Sequence, residues 1–154
     1  MKVINEVHPK DPSIFQDALK DAPEGPVFMI NLLTFKEKAV YEDGRETDLT
    51  GRQAYNLYGL AVMQLLPEYG AQIFFSGDTT FLPLGQVEEL WDEVAIAVYP
   101  NRKALVDMSM SAEWQAAAVH RTAGLKGQLN IETVLSPALK GLPWIQSLYE
   151  AMNT

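Results

Sequence analysis

A few side chains in this 154-residue chain could act on or hold a small molecule: Glu93, His120 and Arg121, with Asn31, Tyr41, Tyr55 and Trp91 as candidate neighbours. A carboxylate on an enclosed strand face can move a proton, which makes Glu93 a candidate catalytic residue. His120 could serve as a general base or an axial haem ligand. Against this, it follows Trp114 by six residues and so leaves that residue's apolar face, which favours a solvated histidine. Arg121 follows Trp114 by seven and shares the face, where a guanidinium needs either an anionic ligand or a carboxylate such as Asp92 or Glu93. Glu93 could equally be the structural partner of Arg121 or Arg52. Asn31 could donate to an oxyanion or satisfy backbone groups. Tyr41 and Tyr55 read as residues of a pocket mouth, and Tyr58 as packing. Trp91 could stack on a planar ligand or belong to a core or dimer interface.

Composition removes many chemistries. With no cysteine, thiolate metal sites, iron–sulfur clusters, disulfides and cysteine nucleophiles are excluded. Two histidines without ligand spacing imply no metal and no cofactor, and no phosphate-binding loop or nucleophile elbow is present. Lys and Arg number 12 against 20 Asp and Glu, and a net charge of -8 repels nucleic acid and anionic membrane surfaces. Neither a leader-like run near Met1 nor a membrane-length apolar stretch occurs, so a cytoplasmic protein is expected. Hydrophobic residues at 47% and charged residues at 21% suit one domain over 1–154, with a core at about 26–135, an N-terminal extension 1–25 and a C-terminal arm 136–154.

The elements that must position these residues follow from period and caps. Asp11-Pro12 starts a short helix to about Lys20. Val27–Phe35 is a nearly continuous apolar run, the first strand. A polar loop, Lys36–Leu49, precedes the capping box at Thr50 and Gln53 and the stripe Ala54, Leu57, Tyr58, Ala61, Val62, Leu65, Leu66 and Tyr69, stopped by Gly70. Strands are expected at Ala71–Gly77, Trp91–Tyr99 and Gln128–Leu135. Asn101 caps a short helix through Met108, and Ser111 caps another ending near Gly124. Beyond Pro137, Trp144 to Met152 forms a small amphipathic helix. The order is α+β, a ferredoxin-like βαββαβ core.

Such a sheet carries helices on one face, so the second face needs a cover. Val94, Ile96 and Val98 read as the helix-packed face. The opposite one, with Met29, Leu33, Phe74 and Trp91, reads as the covered face of a homodimer, edged by Asn31, Ser76, Glu93 and Asn130 or Glu132.

The strings Asn31-Leu32-Leu33-Thr34-Phe35-Lys36, Gly51 with Tyr55 and Tyr58, Trp91-Asp92, Tyr99-Pro100, Val119-His120-Arg121 and Gly124-Leu125 resemble a bacterial dimeric α+β-barrel family catalogued as number 1330 among domains of unknown function. The resemblance spans about Pro26 to Thr133 and implies the fold and a homodimer, with no catalytic residue carried over. The wider superfamily of such barrels implies a ligand between sheet and helices. Asn31, Trp91 and His120 are similar to the residues that haem-degrading members use, although the wide separation of Trp91 and His120 counts against that role. The expected function is a cofactor-independent enzyme acting by proton transfer, isomerisation or oxygenation on a small apolar carbonyl or carboxylate compound. The alternative is a non-catalytic binding or structural dimer.

Overall fold

Four antiparallel strands carry the molecule: β1 (Val27–Phe35), β2 (Gln72–Asp78), β3 (Glu93–Tyr99) and β4 (Leu125–Thr133), in the sheet order β2-β3-β1-β4. The computed structural model describes residues 2–153. The crossover helices are α2 (Gly51–Leu65) and α4 (Ala112–Gly124), which gives the ferredoxin-like βαββαβ topology. Among the described residues there are three shorter α-helices besides: α1 (Ile14–Asp17), α3 (Arg102–Ser109) and α5 (Pro143–Met152). No helix among the described residues is long and apolar enough to cross a membrane.

Local chemistry sets the boundaries. The Thr50 side chain accepts from the backbone N–H of Gln53, whose own side chain accepts from the Thr50 N–H, a complete capping box. Asn101 and Ser111 cap α3 and α4 by accepting from Ala104 and Trp114. After Leu65 the chain tightens into a 3₁₀ turn, Leu66–Tyr69, around Pro67, and Gly70 leaves it at φ 67. The N-terminal helix, expected over Pro12–Lys20, is a single turn. Ile14, Phe15 and Leu19 are 59, 45 and 42% exposed, so no core face extends it.

The faces of the sheet are assigned opposite to the expectation. The side packed under α2 and α4 holds Val27, Met29 and Leu33 of β1 with Ala97 and Tyr99 of β3, all buried, beside Val62, Leu65, Leu66 and Met108. The other side carries Ile30 and Leu32 paired with Ile96 and Val94, and Ile131 and Leu129 of β4. The physical reason is size. The helices bring Tyr58, Leu65 and Trp114, and this bulk fits over small Ala95 and Ala97, whereas Val94 and Ile96 would collide with it. One end of the outer face is covered by α5, whose Trp144 stacks on Phe74 at 5.8 Å while Phe74 meets Phe28 edge-on at 5.5 Å. The rest stays open: Phe75 and Ile131 are 51 and 43% exposed. A bulge between Ile73 and Phe75 accompanies this aromatic cluster on β2. Trp91 precedes β3 and stands outside the sheet ladder.

Candidate functional site

A polar band crosses the inner face of the sheet, in an otherwise apolar layer. Register puts Ser76, Ala95, Asn31 and Asn130 in one row, and Asp78, Glu93, Leu33 and Gln128 in the next. Helices α2 and α4 lie over this band and contribute Arg52, Tyr55, Tyr58, Trp114 and Arg121.

At the β4 side the amides form a chain. Asn31 donates to the carbonyls of Met29 (3.2 Å) and Ala95 (3.3 Å), and its Oδ1 accepts from Asn130 (2.7 Å) and Gln128 (3.4 Å). Gln128 Oε1 in turn accepts from Arg121 Nη2 at 2.9 Å. The other arm of Arg121 donates to the Val7 carbonyl at 2.9 Å. Arg121 is half-buried and makes no ion pair among the described residues; neither Asp92 nor Glu93, the carboxylates expected for it, is its partner. Asp92 Oδ2 instead accepts from the Phe35 N–H.

At the β3 side Glu93 accepts from Ser76 Oγ (2.8 Å) and from Arg52 Nη1 (3.0 Å), and Arg52 also meets Asp78 (2.8 Å). The Arg52 guanidinium lies over the Phe35 ring, 4.7 Å from its centroid. Ring contacts then run from Phe35 to Tyr55, Tyr58 and Trp114.

Burial pushes the phenols of Tyr55 and Tyr99 well above the ordinary tyrosine range and raises that of Tyr58. At Tyr55 the neighbouring Tyr58 adds to the rise, Arg121 opposes it and Glu93 adds to it, which sets this phenol within electrostatic reach of both ends of the band. A group that titrates higher in the folded state keeps its proton there. Its contribution to stability is therefore complete below the unfolded value of about 10 and is lost as pH rises toward the folded value. Alkaline unfolding should accordingly be steep, releasing roughly three protons together. Tyrosinate absorbance followed with circular dichroism checks this; free ionisation of these phenols before unfolding would contradict it.

The remaining candidates lie elsewhere. The Tyr41 hydroxyl and His120 Nδ1 are hydrogen-bonded at 2.7 Å with their rings edge-on, and Arg45 lies over the Tyr41 ring at 4.6 Å. Tyr41, read from the sequence as a residue of a pocket mouth, is buried, 6% exposed, because this bond and the Val40 N–H to Ala123 carbonyl bond pin the loop of residues 36–50 against α4. That loop encloses a depression of about 580 Å³ lined by Lys38, Tyr41, Arg45 and Asp48 among others. Trp91 Nε1 donates to Asn5 Oδ1 at 2.7 Å. Arg121, Asn31 and Tyr55 thus belong to the band with Glu93, whereas His120 and Tyr41 pair with each other and Trp91 with the N-terminal segment. The sequence reading missed the role of Val7 and of the Gln128 side chain. The alternation Gln128, Asn130, Glu132 was the available signal for the latter.

No protein-family model matches the chain, and no functionally curated protein does. Among solved structures it is similar to the methylated RPA0582 protein, at 31% identity and a TM-score of 0.77, over 88% of this chain and 98% of that one. A second structure of the RPA0582 protein, described as of unknown function from Rhodopseudomonas palustris, gives 28% identity and a TM-score of 0.76 over 87% and 100% of the two chains. A dimeric protein of unknown function and ferredoxin-like fold from Bacteroides fragilis gives 14% identity and a TM-score of 0.46 over 71% and 96%.

Proposed function

We propose that this chain, which belongs to the family of the Rhodopseudomonas palustris RPA0582 protein, is a homodimer that binds a small carboxylate or enolisable carbonyl compound between its sheet and its helices. One observation carries the ligand: a half-buried guanidinium, Arg121, whose acceptors among the described residues are the neutral Val7 O and Gln128 Oε1. A cation in such a setting is incompletely matched, and an anionic oxygen completes it with bonds about twice as strong as neutral ones. Beside it, the raised phenols of Tyr55 and Tyr58 stay neutral and can donate to the same anion. The aromatic run from Phe35 to Trp114 offers an apolar wall for the body of the ligand. The more specific resemblance, to family number 1330, rests on the strings quoted from the sequence.

Within this reading Arg121 is the anchor, and Asn31, through Gln128, holds it in place. In an enzymatic version Glu93 is the proton-transfer group, and its carboxylate has to leave Ser76 and Arg52 to act. That double engagement favours binding over catalysis. His120 enters neither version directly, being engaged with Tyr41.

Dimerisation through the outer face is supported by Ile30, Leu32, Val94, Ile96, Phe75 and Ile131, more contiguous apolar surface than a monomer ordinarily leaves in water. Native mass spectrometry tests both parts at once. The expected spectrum shows twice 17.2 kDa, with a small-acid adduct either copurified or formed with millimolar benzoate. A monomer at micromolar concentration would overturn the dimer, and a bare protein in the presence of benzoate would overturn the ligand.

A further inference from the structure

Arg121 is engaged by a piece of backbone whose other attachments are slight. Residues 3–8 meet β4, an edge strand of the sheet, at a single bridge: Glu6 N–H donates to Gln128 O at 3.1 Å, and Gln128 N–H to Glu6 O at 3.0 Å. Asn5 Oδ1 receives Trp91 Nε1, and Val7 O receives Arg121 Nη1. The chain has a seat shaped for it, because a Cβ at Gly127 would come 2.8 Å from Asn5 Cβ and 3.3 Å from the Asn5 carbonyl carbon. Nevertheless Val3 and Ile4 are 42 and 47% exposed, so the segment is not anchored by apolar burial. A single bridge at a sheet edge, with few buried contacts, is a segment that opens locally without unfolding the rest.

We infer that residues 3–8 are a displaceable strap, and that the Val7 carbonyl holds the Arg121 guanidinium in the place a ligand carboxylate takes. This rests on the reading of Arg121 as the anion anchor. The exchange replaces a neutral carbonyl by a charged oxygen on the same guanidinium nitrogen, and that gain opposes the loss of the Glu6–Gln128 bridge. Gln128 couples the two events. Its side chain receives Arg121 while its backbone holds the strap, so a ligand that draws the guanidinium away from Val7 weakens the bridge at the adjoining residue. The strap therefore excludes water from the anchor when no ligand is present and sets a threshold of affinity that weak anions fail to cross.

Two substitutions loosen the strap by different means without touching Arg121: Asn5→Ala removes the acceptor for Trp91, and Gly127→Ala fills the seat. Benzoate affinity by calorimetry, in the full chain and in both variants, is combined with hydrogen exchange at the Glu6 and Gln128 amides. The expected result is faster exchange at both amides on adding benzoate, and affinity raised roughly tenfold in the variants, since less of the population then holds the closed state. If binding depends on Arg121 but the two amides stay protected and neither variant changes affinity, the strap is refuted and the anchor stands. If benzoate shows no Arg121-dependent binding in the native chain or in either variant, the anchor reading fails and the strap falls with it.

Discussion

Alanine at Gly124 or at Gly51 should cripple folding, although each substitution adds one methyl group. A Cβ on Gly124 would lie 2.2 Å from the Gly51 carbonyl oxygen and 2.8 Å from the Tyr55 nitrogen; one on Gly51 would lie 2.2 Å from the Lys36 carbonyl oxygen and 2.6 Å from that of Gly124. All these atoms are backbone, so no rotamer change relieves the contact. Neither glycine has a positive φ, which makes the requirement one of space and not of conformational freedom. The crossing is locked from three sides. Lys36 N–H donates to Gly124 O, Gly51 N–H donates to Lys36 O, and Lys36 Nζ reaches Thr122 O at 3.1 Å. Separating the two helices enough to admit a methyl group breaks that set and opens the layer around Ala54 and Ala123, both fully buried. The cost is about 3 kcal/mol or more, at the upper end of overpacking, and lowers the melting temperature by roughly 10 °C for a chain of this size. Gly59 supplies the control. It sits mid-helix in α2 with nothing within 4 Å of its absent Cβ, so Gly59→Ala should hold or raise stability by about 0.5–1 kcal/mol. A Gly124→Ala protein that melts within a degree or two of the native one would refute this account of the crossing.

The same crossing explains what could be read from the sequence and what could not. Signals confined to one element were legible: the apolar run of β1, the Thr50–Gln53 capping box, the Asn101 and Ser111 caps, and hence the order of elements. Gly124 was legible as a helix stop, but not as the partner of a glycine 73 positions earlier, because nothing local distinguishes the two roles. The sidedness of the sheet was lost for a related reason. Both faces of β3 are apolar, and the choice is made by bulk arriving from α2 and α4, with α5 covering one end of the far side. Within the site, the inward position of Arg121 followed from its spacing to Trp114. Its partners did not, since Val7 comes from a segment with no periodicity, 114 positions away. Likewise Tyr41 and His120 meet across 79 positions, a pairing that nothing local to either residue announces.

Arg121→Met should weaken carboxylate binding roughly ten- to more than a hundredfold at a stability cost well below that of breaking a buried ion pair, and the reason is what the guanidinium touches. Removing one partner of a buried ion pair strands the other charge and costs about 3–5 kcal/mol. Here no charge is stranded, because the acceptors are a backbone carbonyl and a glutamine amide. Gln128 keeps its bond to Asn31, and Val7 belongs to a segment with exposed neighbours where water can replace the lost donor. The stability cost is then about 1–2 kcal/mol, that of two neutral acceptors losing one donor each, and methionine retains the apolar stem of the side chain. Ligand affinity loses as much or more. A charge-assisted contact to a carboxylate is worth about 1.5–3 kcal/mol, which is roughly ten- to more than a hundredfold in affinity. A further readout is independent of any ligand. Because Tyr55 and Tyr58 give up their protons only on unfolding, tyrosinate should still appear in one step with the loss of structure, at a pH lowered only as far as the small stability cost requires. Melting temperature, benzoate calorimetry and tyrosinate titration on this one variant therefore separate an anchor from a scaffold residue. A collapse in stability with benzoate affinity unchanged would assign Arg121 to the scaffold and leave the polar band with Arg52, already paired with Glu93 and Asp78.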